Sequence, residues 1–499
     1  MYGSIEYFLS VKYQNSKLKM FLEVLLGISS KKLWMICSIV LICQTPLTSL
    51  GQDKVKQYDE GSVYEGSFKN GLRNGLGKYT MPDGFKYEGE WKDDQIQGKG
   101  IARYPTGQIY EGLFKQGVPD GEGTMTFSDG TKYKGIWLDG KMEGDGILSM
   151  TDGSVFKGKF SNNSRNGYGE MNYSDGSTFK GNWKNNEKQG NGILVYPDKS
   201  IYEGNWENGF QQGFGKLITV DGVILEGEWK NGKINGIGKL IQSNGDRYEG
   251  RLVDWKRNGK GVSIYTTGEK YDGSFKNDLR DGQGILTGPD GFRYEGNWSL
   301  GKMNGKGKIT YSSGSVYEGN FKNNQPNGKG KILFSDGGSY EGTWNNGVIE
   351  GSGIAKYANG LVYEGNFSRG KNNGFGKMTY SDGYIYQGNW KNGIQEGEGE
   401  EIFPNGTVYK GTFKNNQRHG KGTMKMNDGF LYSGEWNSGE MSGKGVATYA
   451  NGDKYEGYFV NGKREGKGVM MFQNGKIIDT IWKDGKEVKT ATGNTDINN

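Results

Sequence analysis

A tyrosine or its substitute recurs every 23 residues from Tyr64 to Tyr455, without one insertion or deletion, through eighteen consecutive units. The substitutes are Phe156, Phe179 and Leu225. A fixed period of this size means a repeat array in which each unit touches only its neighbours. The expected product is an elongated rod, not a globule with one central cleft.

Numbered from its tyrosine, the unit reads Tyr-Glu-Gly-x-aromatic-x-Asn-Gly, then Gly-x-Gly at positions 12 and 14, then Asp-Gly at 20 and 21. The first unit shows it in Tyr64, Glu65, Gly66, Phe68, Asn70, Gly71, Gly75, Gly77, Asp83 and Gly84. Position 5 is Phe or Trp in every unit except the one holding Leu252.

The glycines have two expected roles. Asp83-Gly84, Asp129-Gly130, Asp290-Gly291, Asn359-Gly360 and Asn451-Gly452 lie between alternating apolar runs. They read as hairpin turns that need a positive φ. The Gly-x-Gly pair is expected to put two bare positions on one strand face, where an aromatic ring can lie on the backbone. Positions 1, 3 and 5 share that face, opposite Glu at 2 and the frequent Lys at 6, as in Glu88 and Lys92. One face is therefore dry and aromatic, the other wet and charged. An isolated hairpin is marginal in water, so stability must come from stacking. With about 4.8 Å per strand, a straight stack would span on the order of 170 Å.

The string Tyr-Glu-Gly-x-Trp/Phe-x-Asn-Gly-x-x-x-Gly-x-Gly resembles the membrane occupation and recognition nexus (MORN) repeat, over residues 64–477. The resemblance implies an all-β fold, an elongated solenoid-like stack of antiparallel β-hairpins. Residues 52–63 read as a partial capping repeat, and 478–499 as a degenerate cap, with Ile478 and Trp482, followed by a polar tail from Thr490 expected to be disordered. By the same resemblance the chain is a scaffold that tethers proteins or dimerises, or a module for phospholipid headgroups; fold alone does not choose.

Composition agrees with an array. Of the 90 glycines, 84 lie within residues 64–477, between four and five per unit, so they are periodic punctuation rather than a flexible linker.

Residues 1–51 differ in character. Lys31 and Lys32 precede the apolar run Leu33–Cys43, then Gln44, Thr45, Pro46 and a stretch of small residues ending at Gly51. This order reads as a secretory signal cleaved after Gly51, with translation starting at Met1 or Met20. The alternative is an uncleaved anchor through residues 33–50 with the array outside, although the run is short for a span. Cys37 and Cys43 both lie within it, so a cleaved product would have no thiol, disulfide or cysteine metal site. Ile42 is bulky where lipoprotein attachment at Cys43 would need a small residue.

Charge argues against polyanion partners. Residues 1–51 carry five lysines (12, 17, 19, 31, 32) against Glu6 and Glu23, a net +3 that is half of the formal +6. The array is close to neutral with Lys and Glu interleaved, whereas nucleic-acid or polybasic membrane binding calls for clustered Lys and Arg. One local exception is Lys134, Lys157 and Lys180, which stand in successive units where Glu is usual and form a candidate anion patch against a plain solvated face.

No catalytic constellation emerges. His419 is the single histidine and sits in a repeat loop, which excludes serine or cysteine triads. Carboxylates such as Asp129 and Asp382 recur with the turns and have a turn-forming reason to be there. The Gly-x-Gly sequences lack a βαβ surround. The expectation is no enzyme, no cofactor and no metal.

The departures from pattern are Leu225 for the leading tyrosine, Leu252 for the ring at position 5, and Trp255 for the turn glycine. They mark a candidate bend or partner contact, against a local repacking in which Trp255 replaces the missing ring. The rings Phe68, Trp91, Trp137, Trp183, Trp229, Trp298, Trp344, Trp390 and Trp436 are expected to be structural. The reading is an exported, non-enzymatic scaffold for protein partners, with homodimers at exposed sheet edges. The rivals are a phospholipid module and a carbohydrate or cell-wall binder, the last requiring solvent-accessible aromatics.

Overall fold

The computed structural model describes residues 54–491. The signal or anchor reading of 33–51, Cys37, Cys43 and the end of the polar tail lie outside the described residues. Thirty-nine strands cover the described residues and no helix occurs among them. The chain divides into two units, the first ending at Ile96 and the second starting at Gln97.

In the first unit, Lys54–Gln57 pairs antiparallel with Val63–Lys69, which pairs with Leu72–Thr80, which pairs with Lys86–Lys92. The partial repeat thus supplies a strand, with Lys56 opposite Tyr64. In the second unit, strands of seven and nine residues alternate from Ile109–Lys115 and Val118–Thr126 to Lys454–Val460 and Lys463–Met471. Each pairs antiparallel with the next, so the unit is an open, solenoid-like stack of hairpins. The degenerate repeat continues it as Ile477–Lys483 and Lys486–Ala491.

The unit starting at Tyr294 shows why the pattern folds this way. Arg293–Ser299 pairs with Lys302–Thr310, with Tyr294 opposite Ile309 and Gly296 opposite Gly307. The register then shifts between Gly296 and Trp298, a β-bulge at Asn297. Two residues at left-handed φ, Leu300 (49°) and Gly301 (80°), close the hairpin, as Asn208 (49°) and Gly209 (83°) do elsewhere. This is the backbone of a two-residue type I′ turn, whose twist matches that of the strands.

Two sequence expectations are refined here. In the Asp-Gly turns only the glycine has a positive φ: Gly291 is at 87°, while Asp290 accepts a hydrogen bond from the Phe292 amide at 3.1 Å. The Gly288 amide donates to the Phe292 carbonyl, so this connection is a longer loop and the two-residue turns lie at positions 7 and 8. The two glycines of Gly-x-Gly also differ from each other. Gly305 sits at φ 95°, in the left-handed region opposite the bulge. Gly307 alone lies beneath the tyrosine, since a Cβ there would come within 2.6 Å of the Tyr294 hydroxyl and 2.7 Å of its ring.

Candidate functional site

The two faces of the stack do different work. On the apolar face a leading ring typically packs edge-on against two others: Tyr294 meets Trp298 of its own unit at 5.1 Å and Phe321 of the next at 5.1 Å. The same T-shaped step recurs through Tyr317, Tyr340, Tyr363, Tyr386, Tyr409 and Tyr432. The tryptophans expected to be structural are buried, and Phe68 is half-buried. Arginines at position 10 cap this column: Arg280 lies over Trp298 at 5.0 Å, and Arg464 over Trp482 at 3.3 Å.

The bulge explains the choice of tyrosine. It takes the position-4 carbonyl out of the regular ladder, and the phenol three residues earlier donates to it, as Tyr317 does to Asn320 at 2.9 Å. The indole of position 5 similarly donates to the carbonyl of the position-14 glycine one unit back, as Trp298 does to Gly284 at 3.2 Å. Among the described residues, the Trp183 indole nitrogen is the buried side-chain group without a partner. Burial raises the phenols: Tyr133, Tyr271, Tyr294 and Tyr317 are pushed up to about 12.

The opposite face is polar with a glycine floor. Between Gln283 and Asn366 it forms a groove of about 1520 Å³, lined by Glu295, Glu318, Glu341, Lys308, Lys331 and Asn320 among others. Lys331 and Glu341 face each other across strands at 3.7 Å. Such pairs keep the face close to neutral.

Leu225 and Leu252 are both buried, the latter at 0% exposure, and replace two rings of the edge-on column. Strand pairing runs through without a break, with Asn235 opposite Val253 and Gly236 opposite Leu252. Gly236 is the position-12 glycine that leaves the left-handed region. Trp255 stands at φ 70° in the turn, 41% exposed, with its ring 5.2 Å from Trp229 at 81°. It thus covers Trp229, the ring whose own unit has Leu225 in place of a leading tyrosine.

Lys134, Lys157 and Lys180 fall on one face, but not as an uninterrupted patch. Glu170 pairs across to both Lys157 and Lys180, and its carboxylate is 3.3 Å from the Lys180 amine. His419 lies half-buried in its strand, and its carbonyl accepts a hydrogen bond from the Thr412 hydroxyl.

One polar cluster escaped the sequence reading. Glu401 occupies position 16, where other units place Met378, Met424 or Leu286, and is 7% exposed. Its carboxylate accepts from the Tyr384 hydroxyl at 2.7 Å and from Arg418 Nε at 2.6 Å. Arg418 also lies over Phe403 and Tyr409, both at 5.3 Å. Burial, followed by the Glu401 hydrogen bond, pushes the Tyr384 phenol upward. An acid in an otherwise apolar column was the available signal. With no buried side-chain polar atom of the cluster left without a partner, it reads as a satisfied core network.

A family profile described as "MORN repeat" matches eighteen stretches, from 64–86 to 455–477. The comparison with curated proteins found no match. Solved structures similar in part include the TCP10 domain of Danio rerio CPAP in complex with a STIL peptide, at 11% identity over 54% of this chain and 93% of that one, TM-score 0.19. Another is the SAS-4 TCP domain of Drosophila melanogaster in complex with a proline-rich motif of Ana2, at 17% identity over 36% and 85%, TM-score 0.20. A streptogramin B lyase matches at 17% identity over 59% and 90%, TM-score 0.10. Scores this low carry no argument about fold or ligand. The repeat profile spans most of the sequence in unbroken register, and on that ground the chain belongs to the MORN repeat family.

Proposed function

We propose that the chain is a non-enzymatic scaffold that docks protein partners outside the cytoplasm. The observation that carries this reading is the division of labour between the faces. The rings of the edge-on column are consumed in holding repeats together, while the polar groove between Gln283 and Asn366 offers a broad open surface. Repetition makes that surface stiff, so a partner can be held without paying for ordering of its platform.

Two measurements test the reading. Charge reversal at Glu318 and Glu341 should release proteins that copurify specifically with the wild type while the melting temperature holds; if the same proteins remain bound, the groove is not the docking face. Mature N-terminal sequencing after expression in a secreting host should return Gln52 in a soluble exported fraction. Membrane retention with Met1 or Met20 would support the anchored tether, and a cytosolic product would overturn the placement.

The phospholipid alternative is supported by the family and by the lysine row at 134, 157 and 180. The Glu170 carboxylate lying among those lysines weighs against it. Flotation with anionic vesicles at two salt concentrations separates it from protein docking, because headgroup attraction to lysines is screened by salt.

A further inference from the structure

The polar face carries exposed aromatic side chains where the repeat demands none. Tyr168 is 61% exposed and Phe214 is 59% exposed, both at position 13, two units apart. Neither belongs to the edge-on column of the opposite face. Between them the register places a row of amides: Tyr168 opposite Asn182, and Asn191 opposite Asn205, with Phe214 on the strand after Asn205. All three asparagines are exposed, and their side-chain amides make no hydrogen bond among the described residues. A groove of about 660 Å³ runs along this row, lined by Tyr168, Asn191, Asn205 and Phe214 together with Lys180 and Glu226.

We propose that this row binds a neutral polysaccharide lying along the stacking direction. Four strand steps separate Tyr168 from Phe214, or roughly 19 Å, the length of several sugar rings in an extended chain. An exposed ring presents a flat apolar surface to the C–H face of a sugar, and each amide offers donors and an acceptor to hydroxyls. Glycans combine these two surfaces on every residue.

Charge selects against the other occupants. The neighbouring row reads Glu170, Lys180, Ile193, Glu203, Lys216 and Glu226, and Glu170 is paired with Lys180 at 3.3 Å. With three acids against two lysines it is near neutral and slightly acidic, which repels an anionic lipid surface or polyanion. A peptide adding as a strand needs a free sheet edge, and every strand here is paired on both sides. The site lies apart from the groove at 283–366 and does not depend on protein docking there.

The test is retention of the purified chain on cellulose, chitin and amylose, with competition by cellohexaose, chitohexaose or maltohexaose on whichever retains it. The expected result is retention on at least one. Substituting Tyr168→Ala or Phe214→Ala should weaken competition by the oligosaccharide by roughly tenfold each. The ring-preserving Tyr168→Phe should retain most of the binding, and Lys306→Ala with Lys329→Ala, both in the separate groove at 283–366, should leave it unchanged. Because both rings are exposed, melting curves of the alanine variants should overlay the wild type. The proposal is overturned by failure to bind any of the three polymers, or by binding of the combined Tyr168→Ala, Phe214→Ala variant equal to that of the wild type.

Discussion

The Tyr294 hydroxyl donates to the Asn297 carbonyl at 2.8 Å, three residues along its own strand, while its ring covers Gly307 of the paired strand. One side chain thus satisfies the bulge, fills the space of an absent Cβ and joins neighbouring units. Changing Tyr294 to Phe keeps the packing and loses the bond, at about 0.5–1.5 kcal/mol. Trp298→Ala should cost about 3–5 kcal/mol, since it opens a cavity between two rings and removes a donor to Gly284. Chemical denaturation of both variants checks the ranking; equal losses would mean the hydroxyl, not the ring, holds the unit.

Gly307→Ala should be as severe as the tryptophan loss, because the added methyl would meet the Tyr294 ring at 2.7 Å in a sheet that cannot part locally. The double variant Gly307→Ala with Tyr294→Ala should recover part of the loss if the clash is with the ring. A double-mutant cycle by thermal melting measures that coupling.

Alkaline pH should unfold the array cooperatively. Burial raises Tyr133, Tyr248, Tyr271, Tyr294, Tyr317, Tyr363 and Tyr432 to about 12, from an ordinary value of 10.0. The folded state therefore holds these protons more tightly than the unfolded chain. Their contribution is complete below pH 10 and is lost as pH rises from about 10 through about 12. Tyrosinate absorbance and far-ultraviolet circular dichroism should change together in that window; ionisation well before unfolding would show the phenols to be open to solvent.

Glu401→Ala should destabilise by about 3 kcal/mol, because Arg418, whose side chain is only 20% exposed, would lose its counter-charge. Replacing both, Glu401→Met with Arg418→Met, should restore most or all of the loss, as methionine occupies position 16 in the flanking units at Met378 and Met424. Thermal melting of the single and double variants decides between a satisfied network and a site that needs its charge for another purpose.

Trp255→Gly balances two opposed terms. Glycine relieves a left-handed φ that costs a side-chain-bearing residue about 1–2 kcal/mol. It also removes an edge contact with Trp229 worth about 0.5–1.5 kcal/mol. Stability should change by less than about 1 kcal/mol, with a shift in tryptophan fluorescence as Trp229 loses its cover. A large loss would mean that Trp255 anchors more than its neighbour.

The sequence by itself determined the period, the all-β class, the assignment of rings to one face, and the positions where the pattern fails, because side chains alternate along a strand and Gly, Asn and Asp mark the turns. It also singled out Leu225, Leu252 and Trp255. Only the tertiary structure decided what each feature does. The bulge at position 4 distinguishes the two glycines of Gly-x-Gly, a distinction that strand alternation alone does not contain. Cross-strand register places Glu170 between Lys157 and Lys180, and it brings Glu401 and Arg418 from two strands together with Tyr384 from the loop before Ile385. It also aligns Tyr168, three asparagines and Phe214 into one row. Those relationships join residues 9 to 46 positions apart in sequence, and they exist only once hydrogen bonding between strands has set which residue faces which.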